Sequence, residues 1–194
     1  MGEGAGGLRW VMEVWRRSEP LAVVLVLGSF VAIACGEKKS ASPGPPPESP
    51  PLASIHPGET KIGDMKIESV SQGWGAPQLD RSVTGRPLTI AGESFRSGIG
   101  THAISRIDVS FPAKFKTFSG ACGVDEFVKS GGSVVCKVAH GDKVLFASPL
   151  LKGGMKAASF SVSVTGLSKL TLSVEDGGDD INGDNADWVD LRLK

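Results

Sequence analysis

The chain of 194 residues has room for one ordinary domain plus accessory segments. Its 21 Lys and Arg balance its 21 Asp and Glu, so there is no global field to draw in nucleic acid, and no nucleic-acid partner is expected. With 26 Gly, 12 Pro, no Tyr and many Val, Ile, Ser and Thr, the composition suits short strands joined by tight turns rather than a helical bundle.

Residues 1–35 carry an address. Leu21 to Ala34 is a continuous, mostly apolar run preceded by Arg16 and Arg17 and ending at Ala34-Cys35. A charged start, a short apolar stretch and small residues at its end are the signature of a secretory signal. The run is also short of the roughly 20 apolar residues that a membrane-spanning helix needs. Ala32-Ile33-Ala34-Cys35 resembles a bacterial lipobox, which makes Cys35 the expected lipidation site and mature N-terminus. An uncleaved anchor helix is the alternative. Met12 offers a start that would give a signal of more usual length. The lipid chains of such an anchor suffice for stable membrane attachment, so the expected location is exported, on a membrane facing the periplasm or cell surface.

Residues 36–60 follow with seven of the twelve prolines among Ser and Gly. A stretch of that composition cannot bury a core and favours polyproline II. It reads as a disordered spacer, reaching roughly 70 Å if fully extended at about 3.1 Å per residue.

From Lys61 to Lys194 the apolar period becomes two. Ile107, Val109 and Phe111 alternate with polar residues, as do Val134, Cys136 and Val138. The pattern recurs in Phe160, Val162 and Val164, in Leu170, Leu172 and Val174, and in Val189, Leu191 and Leu193. These predict half-buried antiparallel strands, separated by turn chemistry at Gly131-Gly132, Gly141-Asp142, Gly153-Gly154 and Gly177-Gly178. About eight or nine strands predict a β-sandwich or a closed barrel. Cys122 and Cys136 are symmetric about residue 129, so they can lie opposite one another in a hairpin. Exported proteins keep disulfides, which makes a Cys122–Cys136 bond the expectation; buried free thiols are the alternative.

Asp176, Asp179, Asp180, Asn182, Asp184, Asp187 and Asp190 crowd into 15 residues with three glycines. Hard oxygens on a flexible loop are what calcium prefers, and Asp176, Asp179, Asp184 and Asp187 are the candidate ligands. Asp125 and Glu126 stand as possible contributors from a neighbouring loop. Asp180 to Asp184 begins like an EF-hand loop, but Asn185 falls where Gly is required and Leu191 where the bidentate carboxylate belongs. A solvated acidic turn is the plainer alternative.

Several strings occur in a recognisable order: Trp74 with Asp80-Arg81-Ser82-Val83, then Pro87 to Gly92, then Ser97-Gly98-Ile99-Gly100-Thr101-His102-Ala103-Ile104-Ser105. Gly123-Val124-Asp125-Glu126 follows, and Glu175 to Asp179 runs on to Asp184-Asn185-Ala186-Asp187-Trp188. Together they resemble the NPCBM family, related to carbohydrate-binding module family 51, over essentially all of 61–194. The resemblance implies a jelly-roll sandwich that binds sugars, often carries a structural calcium and usually accompanies a glycoside hydrolase domain. Asn185 stands where the family often has His.

Sugar binding typically uses an aromatic plate for the apolar face of a pyranose and planar polar groups for its hydroxyls. Beyond the proline-rich stretch the tryptophans are Trp74 and Trp188. Trp74, between two glycines, predicts a loop position. Trp188 precedes the Val189, Leu191 and Leu193 face and is expected to point the other way or cap an edge. The alternative is that either ring plugs an end of the sandwich. His102 in its Gly-flanked loop and Asn185 complete the candidate sugar contacts.

No Gly-x-Ser-x-Gly elbow, His-Glu-x-x-His or Walker loop occurs, so no enzyme is expected. The reading is a non-catalytic carbohydrate-binding module, displayed as a lipoprotein, whose partners are a glycan or polysaccharide and a separate glycoside hydrolase or envelope protein. The alternative is an envelope interaction or scaffolding domain without glycan affinity.

Overall fold

The computed structural model describes residues 55–58 and 60–194. The expected signal sequence, Cys35 and most of the proline-rich stretch lie outside the described residues.

Among the described residues there are fourteen strands, numbered in chain order. The first seven are β1 (Lys61–Ile62), β2 (Met65–Gln72), β3 (Gln78–Leu79), β4 (Leu88–Ile90), β5 (Glu93–Phe95), β6 (Gly98–His102) and β7 (Ser105–Ser110). Then come β8 (Thr117–Val124), β9 (Ser133–His140), β10 (Lys143–Ala147), β11 (Leu151–Lys152), β12 (Ala158–Ser163), β13 (Lys169–Asp176) and β14 (Asn185–Leu193). Nine have five residues or more, and the other five are two- or three-residue pieces too short to show a period.

Every pairing is antiparallel. Seven strands form one sheet in the order β1-β2-β7-β13-β9-β10, with β11 also on β9. Five form the second, β12-β8-β14-β6-β3, and β4-β5 is a separate hairpin. The chain passes between the sheets repeatedly, so the inward side chains of both meet in one core: Ile67, Ile107, Val109, Val138 and Leu172 from the first, Ile99, Phe118, Phe160 and Trp188 from the second. The alternating residues of β7, β9 and β13 are the buried ones, as the period of two requires.

The packed region begins upstream of Lys61. Ile55 is buried in the core, Gly58 N–H donates to Ile67 O at 2.6 Å, and Ile67 N–H donates to Thr60 O at 2.9 Å. The spacer expected to run through residue 60 therefore ends sooner.

A bond joins Cys122 to Cys136, with Cα atoms 6.4 Å apart. It does not close a hairpin. Cys122 is on β8 of the five-stranded sheet and Cys136 on β9 of the seven-stranded one, so the bridge crosses the core between sheets.

One irregularity changes the reading of β14. The register of β14 on β8 shifts between Val189 and Arg192, and Asp190 takes φ 52°. Such a bulge inverts the inward-outward phase of the strand. Upstream of it Ala186 and Trp188 face the main core; downstream of it Leu191 does. Val189, expected to share a face with Leu191, packs instead with Leu88 and Ile90 under the β4-β5 hairpin.

Candidate functional site

The site begins at β6. All five of its residues are buried, because the strand has Ile99 in the core on one face and the 81–82 backbone against the other. Gly100 permits that approach: a Cβ there would strike the backbone of Arg81 and Ser82. Thr101 Oγ1 donates to Gln72 Oε1 at 2.8 Å, and Gln72 Nε2 donates to the carbonyl of Trp74 at 2.6 Å. A hydroxyl in the middle of β6 thus fixes a side-chain amide that fixes the loop carrying the tryptophan. Gly73 completes the arrangement, since a Cβ there would sit 2.5 Å from the carbonyl oxygen of Ala103. Gly73→Ala is therefore expected to push Trp74 off this position, weakening any ligand contact of its ring. The measurement is the Trp74 fluorescence spectrum beside the melting curve; a spectrum identical to that of the unaltered protein would count against it.

Trp74 is 55% exposed and its ring centroid lies 5.5 Å from that of His102, tilted by 55°. His102 is buried. Its Nδ1–H donates to Ala103 O at 2.6 Å, so that in the neutral ring Nε2 is the acceptor. Asn185 pairs with His102 across β14 and β6, and its carbonyl accepts from Asp125 N at 2.9 Å. Trp74, His102 and Asn185 line one cleft of about 340 Å³ together with Thr84, Phe127, Val128, Ile181, Asn182 and Gly183. Among the described residues no Lys, Arg, Asp or Glu lines it. An exposed aromatic ring beside neutral hydrogen-bonding groups can hold a ligand that is polar at its edge and apolar on its face.

Trp188 does not join them. It is 0% exposed and meets Phe160 edge to face at 5.9 Å, so no ligand can reach its ring. The bulge at Asp190 is the reason: it leaves Leu191 and Trp188 on the same inward face. Phe127, 47% exposed, is the aromatic the sequence did not mark. It lies in the short turn Glu126–Val128, immediately after the Gly123-Val124-Asp125-Glu126 string, and an aromatic held outward at such a tip was the available signal.

The four candidate calcium ligands also separate. Asp176 Oδ1 accepts from Gly178 N, while Asp179 Oδ1 accepts from Ser133 Oγ and Asp180 N. Those bonds, Ser133 first, hold the Asp179 carboxyl below its ordinary range. Asp184 Oδ1 accepts from Ser133 N at 2.7 Å; burial, the largest influence, still pushes its carboxyl up. These three organise the 176–184 loop, and among the described residues no three His, Cys, Asp or Glu side chains gather as a metal-holding group.

Asp187 is different. It is as fully buried as Asp184, but among the described residues neither of its carboxylate oxygens has a hydrogen-bond partner, whereas Asp184 keeps one. Burial, followed by the neighbouring Asp125 carboxyl, pushes it well above the usual carboxylate range.

A competing cleft of about 420 Å³ lies over the outer face of the larger sheet, with Glu68, Arg106, Asp108, His140, Lys169 and Thr171 in its lining. Its acidic groups are already occupied. Asp108 accepts from Ser69, Thr171 and Arg106, and Glu68 accepts from Ser110. Among the described residues its lining contains no Trp or Phe.

The model of the NPCBM/NEW2 domain matches residues 58–194. The chain belongs to the NPCBM/NEW2 family. It is 36% identical over 171 residues to the alpha-1,3-galactosidase B of Akkermansia muciniphila, a match covering 86% of this chain and 20% of that enzyme. The chain thus corresponds to about a fifth of that relative's length. Among solved structures it is similar to the CBM51 module of Clostridium perfringens GH95 in complex with methyl-galactose, with TM-score 0.63 and 32% identity over 66% of this chain and 94% of that one. It is similar also to the Clostridium perfringens ZmpB structure containing CBM51-2 in complex with GlcNAc, with TM-score 0.61 and 27% identity over 66% of this chain and 29% of that one. The β-sandwich of this NPCBM/NEW2 domain is therefore that of a carbohydrate-binding module family.

Proposed function

We propose that the chain is a non-catalytic module that binds a neutral hexopyranose, of the galactose or N-acetylglucosamine kind, in the Trp74 cleft. The observation carrying this reading is the convergence of Trp74, His102 and Asn185 on one cleft whose lining, among the described residues, contains no Lys, Arg, Asp or Glu. The exposed Trp74 ring supplies the plate for the C–H face of the sugar. Nε2 of His102 accepts from one hydroxyl, and the Asn185 amide can donate to one and accept from another. A solved relative complexed with methyl-galactose and another with GlcNAc support the ligand class. Calorimetric titration with methyl galactoside and with N-acetylglucosamine tests it. Binding to one of them, lost in Trp74→Ala without a change in cooperative unfolding, is the expected result. No heat with either sugar from a folded protein would favour the interaction or scaffolding alternative.

The proposal includes a structural calcium, with a different ligand set from the acidic loop. Asp187 and Asp125 would hold it, since a hard cation would neutralise two buried carboxyls that otherwise repel, and neutral oxygens would complete its shell. When bound, the ion would tie the turn that follows β8 to β14. Calcium is expected to stabilise the fold by mass action, by about 2.7 kcal/mol at a hundredfold excess over Kd, and so to raise the melting temperature. Asp187→Asn is expected to abolish that response. A melting point indifferent to calcium and to EDTA would sink the ion.

The jelly-roll connectivity, export and attachment through a lipidated Cys35 complete the reading, supported by the sequence strings that carry each. Such an anchor and spacer would hold the module beside a membrane, where many copies compensate modest single-site affinity. A glycoside hydrolase acting on the same glycan is the proposed partner.

A further inference from the structure

Phe127 faces two clefts. On one side it lines the Trp74 cleft with Val128; on the other it lines a cleft of about 500 Å³ with Arg86, Thr89, Glu126 and Lys129. The turn Glu126–Val128 is therefore a low ridge with a shared aromatic crest rather than a wall at the end of the site. Arg86 and Thr84 lie two residues apart on one loop and fall on opposite sides of that ridge.

The second cleft has its own chemistry. The Arg86 guanidinium carbon stands 3.9 Å above the centre of the Phe127 ring, which holds its planar donors in place. Among the described residues neither Arg86 nor Lys129 forms an ion pair, and the Arg86 side chain makes no hydrogen bond. Glu126 has one oxygen, Oε2, on Gly92 N at 2.7 Å, which leaves Oε1 as an acceptor. Cationic donors and an anionic acceptor thus sit together on an exposed aromatic face. Hydroxyls, which both donate and accept, satisfy that mixture. A ligand that is only anionic would meet Arg86 and Lys129 well but Glu126 badly.

We propose that the site takes an oligosaccharide of at least two units, the terminal sugar on Trp74 and the next unit crossing Phe127 to lie against Arg86, Glu126 and Lys129. The inference rests on the reading of the Trp74 cleft as a sugar site. Its specific claim is that the ridge joins two subsites and that Arg86 serves only the second.

The full chain is titrated by calorimetry with two pairs of probes: methyl galactoside and lactose, N-acetylglucosamine and N,N′-diacetylchitobiose. In the pair that binds, the disaccharide is expected to be roughly tenfold tighter, about 1.4 kcal/mol. Arg86→Ala is expected to bring the disaccharide-to-monosaccharide affinity ratio to about 1, and Arg86→Lys, which keeps the charge but loses the planar stack, to reduce it partly. Arg86 is exposed, so the variants keep the fold, which a melting curve checks. A ratio of about 1 in the unaltered protein, or a ratio unmoved by Arg86→Ala, overturns the second subsite while leaving the Trp74 site standing. Absence of binding to all four probes overturns both.

Discussion

Replacing Trp188 with alanine is expected to destabilise the domain by about 3–5 kcal/mol, the range for a buried Trp or Phe cut to Ala. For a domain of this size that is a fall of roughly 10–20 °C in melting temperature. The ring is 0% exposed and packs against Phe160, which in turn stacks with Phe118 and Phe146, so its loss opens a hole among aromatics that cannot easily collapse. Its Nε1–H is buried without an acceptor. The indole is therefore held for its volume, and Trp188→Phe should cost less than Trp188→Ala because both remove that unpaired donor but Phe keeps most of the buried ring. Trp74→Ala provides the contrast, since an exposed ring contributes little to the folded state. A melting point for Trp188→Ala within a few degrees of the unaltered protein would show that the ring is not part of the core.

The second large effect is expected from the bridge between the sheets. Cys122 and Cys136 are 14 residues apart in sequence, and closing a loop of about 15 residues constrains the unfolded chain by roughly 3 kcal/mol. Both are wholly buried, so the Cys122→Ala, Cys136→Ala variant also loses packed volume. Urea unfolding should show a lower midpoint for that variant. The protein unfolded and refolded under a reductant should behave similarly if its thiols stay reduced. A midpoint unmoved in the double variant would mean the bond contributes nothing to stability.

The long strands were legible because each buries one face, and burial of one face writes a period of two into the chain. β7, β9 and β13 are the clear cases: Ile107 and Val109, then Val134, Cys136 and Val138, then Leu170, Leu172 and Val174 alternate along their strands and lie inside. β6 could not be read that way, since all of its residues are covered, and only the Gly-Ile-Gly-Thr-His string marked it. Trp188 was misread for a definite reason. Alternation predicts facing only while the register holds, and a single positive-φ residue, Asp190, inverts it without any compositional sign such as glycine. The cysteines illustrate a related limit. Symmetric spacing about a loop suits a hairpin, but the same spacing serves two strands that part into different sheets, and nothing local distinguishes them. In the candidate site, Trp74, His102 and Asn185 stood out by residue type and motif. Phe127, Thr84 and Ile181 did not, because their membership depends on which loops the sandwich brings to the same end.

Gln72 links these observations to the life of the site in solution. The chain of contacts Thr101–Gln72–Trp74 joins an inner strand of one sheet to the end of a strand in the other, and Asn182 to Asn185 arrive from a third segment more than a hundred residues beyond Trp74. No fragment of the sequence contains the cleft, so it should vanish with the cooperative loss of the sandwich rather than fading loop by loop. Conversely, much of the ordering entropy of the loop has been spent before a ligand arrives, which leaves more of the contact energy to appear as affinity. Occupancy of the cleft would then report on the integrity of the whole fold.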